Sequence, residues 1–392
     1  MKRLFLILLN LFIIGCVGAS TFGMNQESYE RNLLSLKNKT IDYKVQSIFW
    51  NGDPKEIGKK RSEFAKQNPI IIKQIEDITN LKRVKLGAPQ KVRYNLQKYF
   101  PEILTEIETF AQVYGMPADE ALAIAGAHFA IGGCSIYLTS LPFPLMARNY
   151  DWAPTMADGI IPSYESTPGR YASIGMSGAF FGNLSGINDR GLAIAITGIF
   201  GEISFPDNGG ISMPIIVRGV LDKATDVQSA TDLLTHIPHT TPCTYALIDK
   251  TGSMAVVEVS ANNIKVRKNS SVNYLTATNH FQALSNEMEK VRVLPNSIRR
   301  QKSIESFHDK NPSADIDSIF NFFGDTINGP AMNNYSSLLG TLWTIIYLPE
   351  KNKMIFRVGL DGEKNTFTIN QKREGKFKGI LKDRPPKASD YF

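Results

Sequence analysis

The chain has 392 residues, 43% of them hydrophobic, with three cysteines and a formal net charge of +7. That length and apolar content exclude an intrinsically disordered chain and suffice for one large domain or two ordinary ones. Without Lys2 and Arg3 the charge falls to 7 − 2 = +5, a mild excess that points to no nucleic-acid partner.

Residues 1–20 read as a targeting segment. Lys2 and Arg3 open it, and Leu4 to Ile14 is apolar apart from Asn10. The run is shorter than the ~20 residues a spanning helix needs. Ile13-Ile14-Gly15-Cys16 resembles a bacterial lipobox, in which the cysteine is lipidated and becomes the mature N-terminus. This predicts an exported lipoprotein of the cell envelope, anchored to a membrane at Cys16. Ordinary secretion after a cut near Ala19 is the alternative.

Residues 21–133 are expected to be mostly helical. Glu30 to Leu36, Glu63 to Leu81 and Val92 to Phe100 carry helix-like apolar spacing. Pro101 and Glu102 favour a helix start, Ile103, Ile107 and Phe110 give it an apolar face, and Gly115 ends it. Pro117-Ala118-Asp119-Glu120 starts another helix that runs toward Gly132-Gly133-Cys134.

Beyond Cys134, strands dominate. Ile136 to Thr139 and Leu145 to Ala147 read as strands joined through Pro142-Phe143-Pro144, a hairpin that would carry Arg148 and Asp151 back beside Cys134. Gly191 to Gly198 is a continuous apolar run, as in a strand buried on both faces. Met213 to Leu221 and Val227 to His236 read as helices, the second with Thr225 and Gln228 as a capping box. Hairpins follow at 245–249 with 254–259, and at 341–348 with 353–358. Strand pairs with helices between them predict a layered α+β fold. The basic residues 371–392 read as a solvated tail, with contact to anionic lipid headgroups as the sharper alternative.

Cys134 is the candidate nucleophile. A thiol needs a base or a lowered pKa to attack, and a chain N-terminus supplies a base in its own α-amine. The reference values, ~7.7–8.0 for the amine and ~8.5 for the thiol, let both titrate near neutral pH. The preceding Gly132-Gly133 suits a self-cut at Gly133–Cys134, because glycine allows a strained turn there. Taken alone, a single cysteine is more often a small buried hydrophobe, and Arg148 with Asp151 a surface pair. A disulfide between Cys134 and Cys243 would exclude catalysis by Cys134. The spacing His236-x-x-His239-x-x-x-Cys243 is metal-like, but Pro238 and Pro242 interrupt it and no fourth ligand is evident. No metal or cofactor is therefore expected. A serine elbow, a dinucleotide fingerprint and a phosphate loop are all missing from the sequence. A Cys-His enzyme would need a partner among His128, His236, His239, His280 and His308.

Gly133-Cys134-Ser135 followed by Arg148-Asn149-Tyr150-Asp151-Trp152 resembles the Cys-type N-terminal-nucleophile hydrolases, the group of choloylglycine hydrolases, penicillin V acylases, acid ceramidase and isopenicillin N acyltransferase-like proteins. Gly186 to Ala193 and Thr278-Asn279-His280-Phe281 match further motifs of that group. Trp50 to Gly58 resembles the start of the long propeptide in the acyltransferase-like branch. The resemblance implies a four-layer αββα sandwich over residues 134–370, preceded by a helical propeptide over 21–133 that stays bound as the smaller subunit. It implies Cys134, Arg148, Asp151, Asn279 and Arg300 as the catalytic set, with Arg299 the alternative to Arg300. Asp151 would hold the α-ammonium, Arg148 would favour the thiolate, and Asn279 would donate to the oxyanion, with a backbone N–H near Gly198 as second donor. The implied activity is hydrolysis of a linear N-acyl amide, or transfer of its acyl group to an amine. Glutamine in isopenicillin N acyltransferase stands where this chain has Arg148, and bile-salt hydrolases lack a long propeptide, so neither penicillin nor bile-salt chemistry carries over. The alternative is a catalytically silent surface lipoprotein that binds an acyl ligand.

Overall fold

The structure is a computed structural model that describes residues 40–68, 72, 88–127, 133–152, 162–178, 181–199, 209–269, 272–284, 295–335, 339–369 and 376–382. Cys16, the helix expected over Glu30 to Leu36 and His128 lie outside these residues. The chain first forms strands β1 (Thr40–Gln46) and β2 (Ile48–Asn51), which the helical expectation for this region missed. Helices α1 (Pro54–Gln67), α2 (Pro89–Tyr99), α3 (Pro101–Tyr114) and α4 (Ala118–Ala125) follow. The Asn51 to Glu56 motif is a helix start: Asp53 caps α1, Pro54 opens it, and Glu56 returns a hydrogen bond to Asp53 N. Gly115, with φ near +90°, ends α3.

Two sheets form the centre. One has the order β11 (Ile264–Lys268), β10 (Met254–Val259), β9 (Cys243–Asp249), β8 (Leu192–Gly198), β7 (Gly182–Asn188), β6 (Ser173–Gly178), β5 (Pro162–Ser166), β2. The other has the order β12 (Tyr274–Ala277), β3 (Gly133–Thr139), β4 (Leu145–Trp152), β14 (Leu339–Leu348), β15 (Lys353–Val358), β16 (Lys364–Thr368), with β13 (Asn333–Asn334) paired to the start of β14. Pairings are antiparallel except that of β2 with β5. Helices α5 (Met213–Lys223) and α6 (Val227–His236) cover the first sheet. Helices α7 (Pro295–Lys310) and α8 (Ile316–Gly324) cover the second. The sheets meet at β3 with β8 and β9, so the layers run helix, sheet, sheet, helix, as expected. The cap of α6 is Asp226 with Ser229 rather than Thr225 with Gln228; Asp226 is the residue whose carboxylate reaches the N3 amide.

The two-residue side-chain period of a strand sorts the core. Cys134, Ile136, Leu138 and Met146 belong to the large core between the sheets. Tyr137, Leu145 and Ala147 point the other way, against Ile304, Phe320 and Phe323 of α7 and α8. In the β7–β8 turn, Asn188 accepts from the amides of Arg190 and Leu192 and donates to the carbonyls of Leu221 and Ala224. With Gly191 at φ +82°, the Gly186 to Ala193 motif is thus a turn that docks the sheet on α5.

The segment before Cys134 is tied into the rest at both sheet and side-chain level. β1 pairs along its length with β17 (Lys376–Lys382), and β2 extends the first sheet. The tail expected to be solvated therefore contributes a strand, with Phe377 and Leu381 buried; the alternating lysines hide this apolar face in the sequence. The Phe100 ring lies against Gly219 of α5, where any Cβ would sit 2.1 Å from it. Arg61 of α1 bonds both carboxylate oxygens of Glu165 at 2.7 and 2.9 Å, and Arg218 of α5 bonds both of Glu106 in α3 at 2.5 and 2.7 Å. Asp222 completes this buried group. Burial, with the Glu165 and Glu106 carboxylates, pushes Asp222 up to about 7 against the pull of Arg218. Breaking a buried pair strands its partner's charge, at a cost of about 3–5 kcal/mol. Arg218→Met should therefore lower the thermal midpoint by many degrees. Arg170→Met, at the partly exposed pair with Glu102, should change stability by about 1 kcal/mol or less. Differential scanning calorimetry of both variants checks the contrast.

Candidate active site

The β3–β4 hairpin sets Cys134 opposite Tyr150 and Gly133 opposite Asp151. Arg148 is two residues from Tyr150, so it shares the face of the Cys134 thiol. Its Nη2 lies 3.5 Å from Sγ. The guanidinium is fully buried and is held by the carbonyls of Leu184 at 2.5 Å and Ile196 at 2.9 Å. The Trp343 ring, stacked on Tyr150, lies 5.1 Å from its Cζ, a cation–π contact.

Asp151 occupies the other parity and lies at the Gly133–Cys134 junction, not at the thiol. A Cβ built on Gly133 would come within 3.1 Å of Asp151 Oδ2. That close approach, rather than a strained turn, is why glycine stands here: Gly133 is extended strand, and the positive-φ glycines of the described residues lie elsewhere. Asp151 Oδ1 accepts from the Thr341 hydroxyl at 2.6 Å, and Oδ2 is buried with no partner among the described residues. Burial raises Asp151 to about 6, with Arg300, the Thr341 hydrogen bond, Arg299 and Arg148 pulling it down.

Asn279 and Arg300 grip the backbone at Cys134. Cys134 N donates to Asn279 Oδ1 at 2.9 Å. Arg300 Nη2 donates to the same oxygen at 2.7 Å, and its Nη1 donates to the Cys134 carbonyl and to Ser135 Oγ. Asn279 Nδ2 donates to the Gly198 carbonyl at 2.8 Å. The amide's orientation follows, since a guanidinium only donates and a carbonyl only accepts. In this uncut chain the amide donor expected for an oxyanion is thus engaged with Gly198, and the nearby Ile199 N–H is taken by Pro242. Of the two candidate arginines, Arg300 is the one that reaches Cys134; Arg299 Nη1 bonds Gly329.

Neither cysteine of the described residues is in a disulfide and both are buried, so the disulfide reading fails. Burial pushes the Cys134 thiol up, outweighing the pull of Arg148 and Arg300, with Asp151 adding to the rise. Arg148 alone therefore does not hold a thiolate here. His239 Nε2 is bonded to Leu234 O and Nδ1 to Tyr245, and His280 to Ser297 and Thr278. Among the described residues no group of His, Cys, Asp and Glu is placed to hold a metal ion. The sequence reading missed Thr341, some 190 positions from Asp151, and the carbonyls of Leu184 and Ile196. No sequence signal marks a backbone carbonyl as a side chain's partner.

The family profile described as acyl-coenzyme A:6-aminopenicillanic acid acyl-transferase matches residues 141–363, more than half of the chain. The chain belongs to this family. With it comes the wider group of Cys-type N-terminal-nucleophile hydrolases. The match begins after Cys134 and includes Arg148, Asp151, Asn279, Arg300 and Thr341. No curated protein matches the chain. Among solved structures, a mutant conjugated bile acid hydrolase from Clostridium perfringens is 18% identical, covering 65% of this chain and 99% of its own, with a TM-score of 0.46. Penicillin V acylase from Agrobacterium tumefaciens is 18% identical, covering 60% and 84%, with a score of 0.39. The N-acylethanolamine-hydrolyzing acid amidase ortholog of Caenorhabditis elegans is 14% identical, covering 56% and 93%, with a score of 0.40. All three scores lie below 0.5, so the assignment rests on the family match.

Arg148→Gln removes the cation nearest the sulfur. An opposite charge at this range shifts a pKa by about 1–3 units. The Cys134 titration should move upward by that amount, read as thiolate ultraviolet absorbance in a Cys243→Ala background. An unmoved titration would remove Arg148 from the role assigned to it.

Proposed function

We propose that this chain cuts itself at Gly133–Cys134 and then acts on linear N-acyl amides through the N-terminal Cys134. The observation that carries this is the division of labour around one peptide bond. Arg148 lies at the thiol, Asp151 Oδ2 lies beside Gly133 with no partner among the described residues, and Asn279 and Arg300 hold the backbone of Cys134. A metal or surface role for these side chains needs no such arrangement.

The cut turns the Cys134 amide into an α-amine facing Asp151. Cys134 Sγ attacks the substrate's acyl carbonyl, and the α-amine takes the thiol proton. The second N–H of Asn279 Nδ2, beside the one given to Gly198, donates to the tetrahedral oxyanion, an interaction whose loss typically costs about 3–4 kcal/mol of barrier. Collapse breaks the C–N bond, and the α-ammonium returns the proton to the leaving amine. Water then attacks the thioester and releases the acid; an acceptor amine in place of water gives acyl transfer. Burial of the thiol in the uncut chain fits a precursor that is inert until the N-terminus forms.

The N-terminal fragment stays bound after the cut. The β1–β17 and β2–β5 pairings and the buried Arg61–Glu165 and Arg218–Glu106 pairs support this, since each joins a residue before the cut to one after it. With Cys16 lipidated in the cell envelope, the N-terminal fragment would tether the catalytic fragment to a membrane without a covalent link.

Intact mass and N-terminal sequencing test the reading. The wild type should yield a fragment beginning Cys-Ser-Ile-Tyr that co-elutes with the N-terminal fragment on gel filtration. Cys134→Ala should remain one chain with no amidase activity on fatty-acyl amides. A wild type that stays uncut after prolonged incubation would overturn the proposal.

A further inference from the structure

One strand carries an irregularity at the site. In the pairing of β14 with β4, Thr341 lies opposite Asp151 and Trp343 opposite Tyr150, so Leu342 is an extra residue, a β-bulge. A bulge locally re-aims the side chains around it. Here it brings the Thr341 hydroxyl to 2.6 Å from Asp151 Oδ1. The direction of that bond is determined. Met332 N–H, which can only donate, points at the same hydroxyl oxygen at 2.9 Å, so the hydroxyl proton goes to Asp151.

Thr341 is itself clamped. Its N–H donates to Met332 O at 2.8 Å, and the Tyr335 hydroxyl donates to its carbonyl at 2.6 Å. The Tyr335 ring lies over Gly340, where a Cβ would be 2.0 Å from it. Thr341 is fully buried, and its hydroxyl makes the one hydrogen bond to the Asp151 carboxylate among the described residues. The Arg300 nitrogens are committed to the Cys134 carbonyl, Ser135, Asn279 and Asn296 instead.

We propose that Thr341 is the positioning residue of Asp151: its hydroxyl occupies Oδ1 and so turns Oδ2 toward the Cys134 amine that the cut releases. This rests on the self-cleaving reading above. It adds a residue that the resemblance did not supply, on a strand some two hundred positions from the nucleophile. The bond also favours the ionised carboxylate. The other groups facing Asp151 are Arg299 and Arg300 from α7, Arg148 and Tyr150 from β4 and Cys134 from β3. With those cations retained, loss of the hydroxyl leaves burial less opposed, and the carboxyl should hold its proton to higher pH.

The test uses Thr341→Val, which keeps the shape without the hydroxyl, Thr341→Ser, which keeps the hydroxyl, and Thr341→Ala should the valine variant not fold. Each protein is first checked for the cut by mass. The Asp151 titration is then followed by carbon-detected NMR, assigned by its loss in Asp151→Asn. The expected result is an upward shift of about one unit in Thr341→Val, restored in Thr341→Ser. In hydrolysis of a fatty-acyl para-nitroanilide, the acid limb of kcat/KM should move by the same amount with KM little changed. An Asp151 titration identical in the wild type, valine and serine variants would overturn the proposal while leaving the cut intact. A wild type that is never cut would overturn this proposal together with the reading beneath it.

Discussion

Everything at the site depends on the antiparallel pairing of β3 with β4. Because side chains alternate along a strand, the register Cys134–Tyr150 and Gly133–Asp151 divides two charged residues three positions apart between two faces. Arg148 falls on the thiol's face and Asp151 on the face of the peptide bond before it. A slip of one residue would exchange them, and the apolar alternation of Ile136, Leu138 and Met146 against Tyr137, Leu145 and Ala147 prevents it. The core that holds the sandwich together is thus also what fixes which charged side chain shares the face of Cys134.

Burial gives the site its character. Cys134, Arg148, Asp151 and Asn279 are all inaccessible to solvent. Such groups are tolerable because each is engaged: the arginines by carbonyls and amide oxygens, Asp151 by Thr341. Among the described residues, Asp151 Oδ2 and Arg148 Nε are the atoms of this group left without a partner, the first of them beside Gly133. Low polarity also keeps the thiol protonated despite a guanidinium 3.5 Å away.

The segment before Cys134 is built as part of the body. Its strands lie in two sheets, and its carboxylates and guanidiniums belong to a buried ionic group that continues on α5 and β5. Arg61 and Arg218 face three carboxylates, Glu106, Glu165 and Asp222, and burial together with the two neighbouring carboxylates raises Asp222.

Much of this was legible in the sequence. The strands flanking Cys134, the helices after Pro101, Met213 and Val227, and the two later hairpins follow from local apolar period and turn residues, which act between near neighbours. Cys134, Arg148 and Asp151 sit in one short motif, and Asn279 and Arg300 follow from resemblance. The sequence could not place β1 against β17, since both partners look like basic or mixed polar stretches and their pairing spans the whole chain. Nor could it reveal the role of Thr341, the face on which Asp151 lies, or the hold of Asn279 on Gly198. Those depend on register, a single bulge and backbone carbonyls. Local sequence determined which elements form and where Cys134 stands; only the packing of distant strands decided which atoms surround it, because hydrogen-bond geometry across a sheet depends on partners that no neighbouring residue specifies.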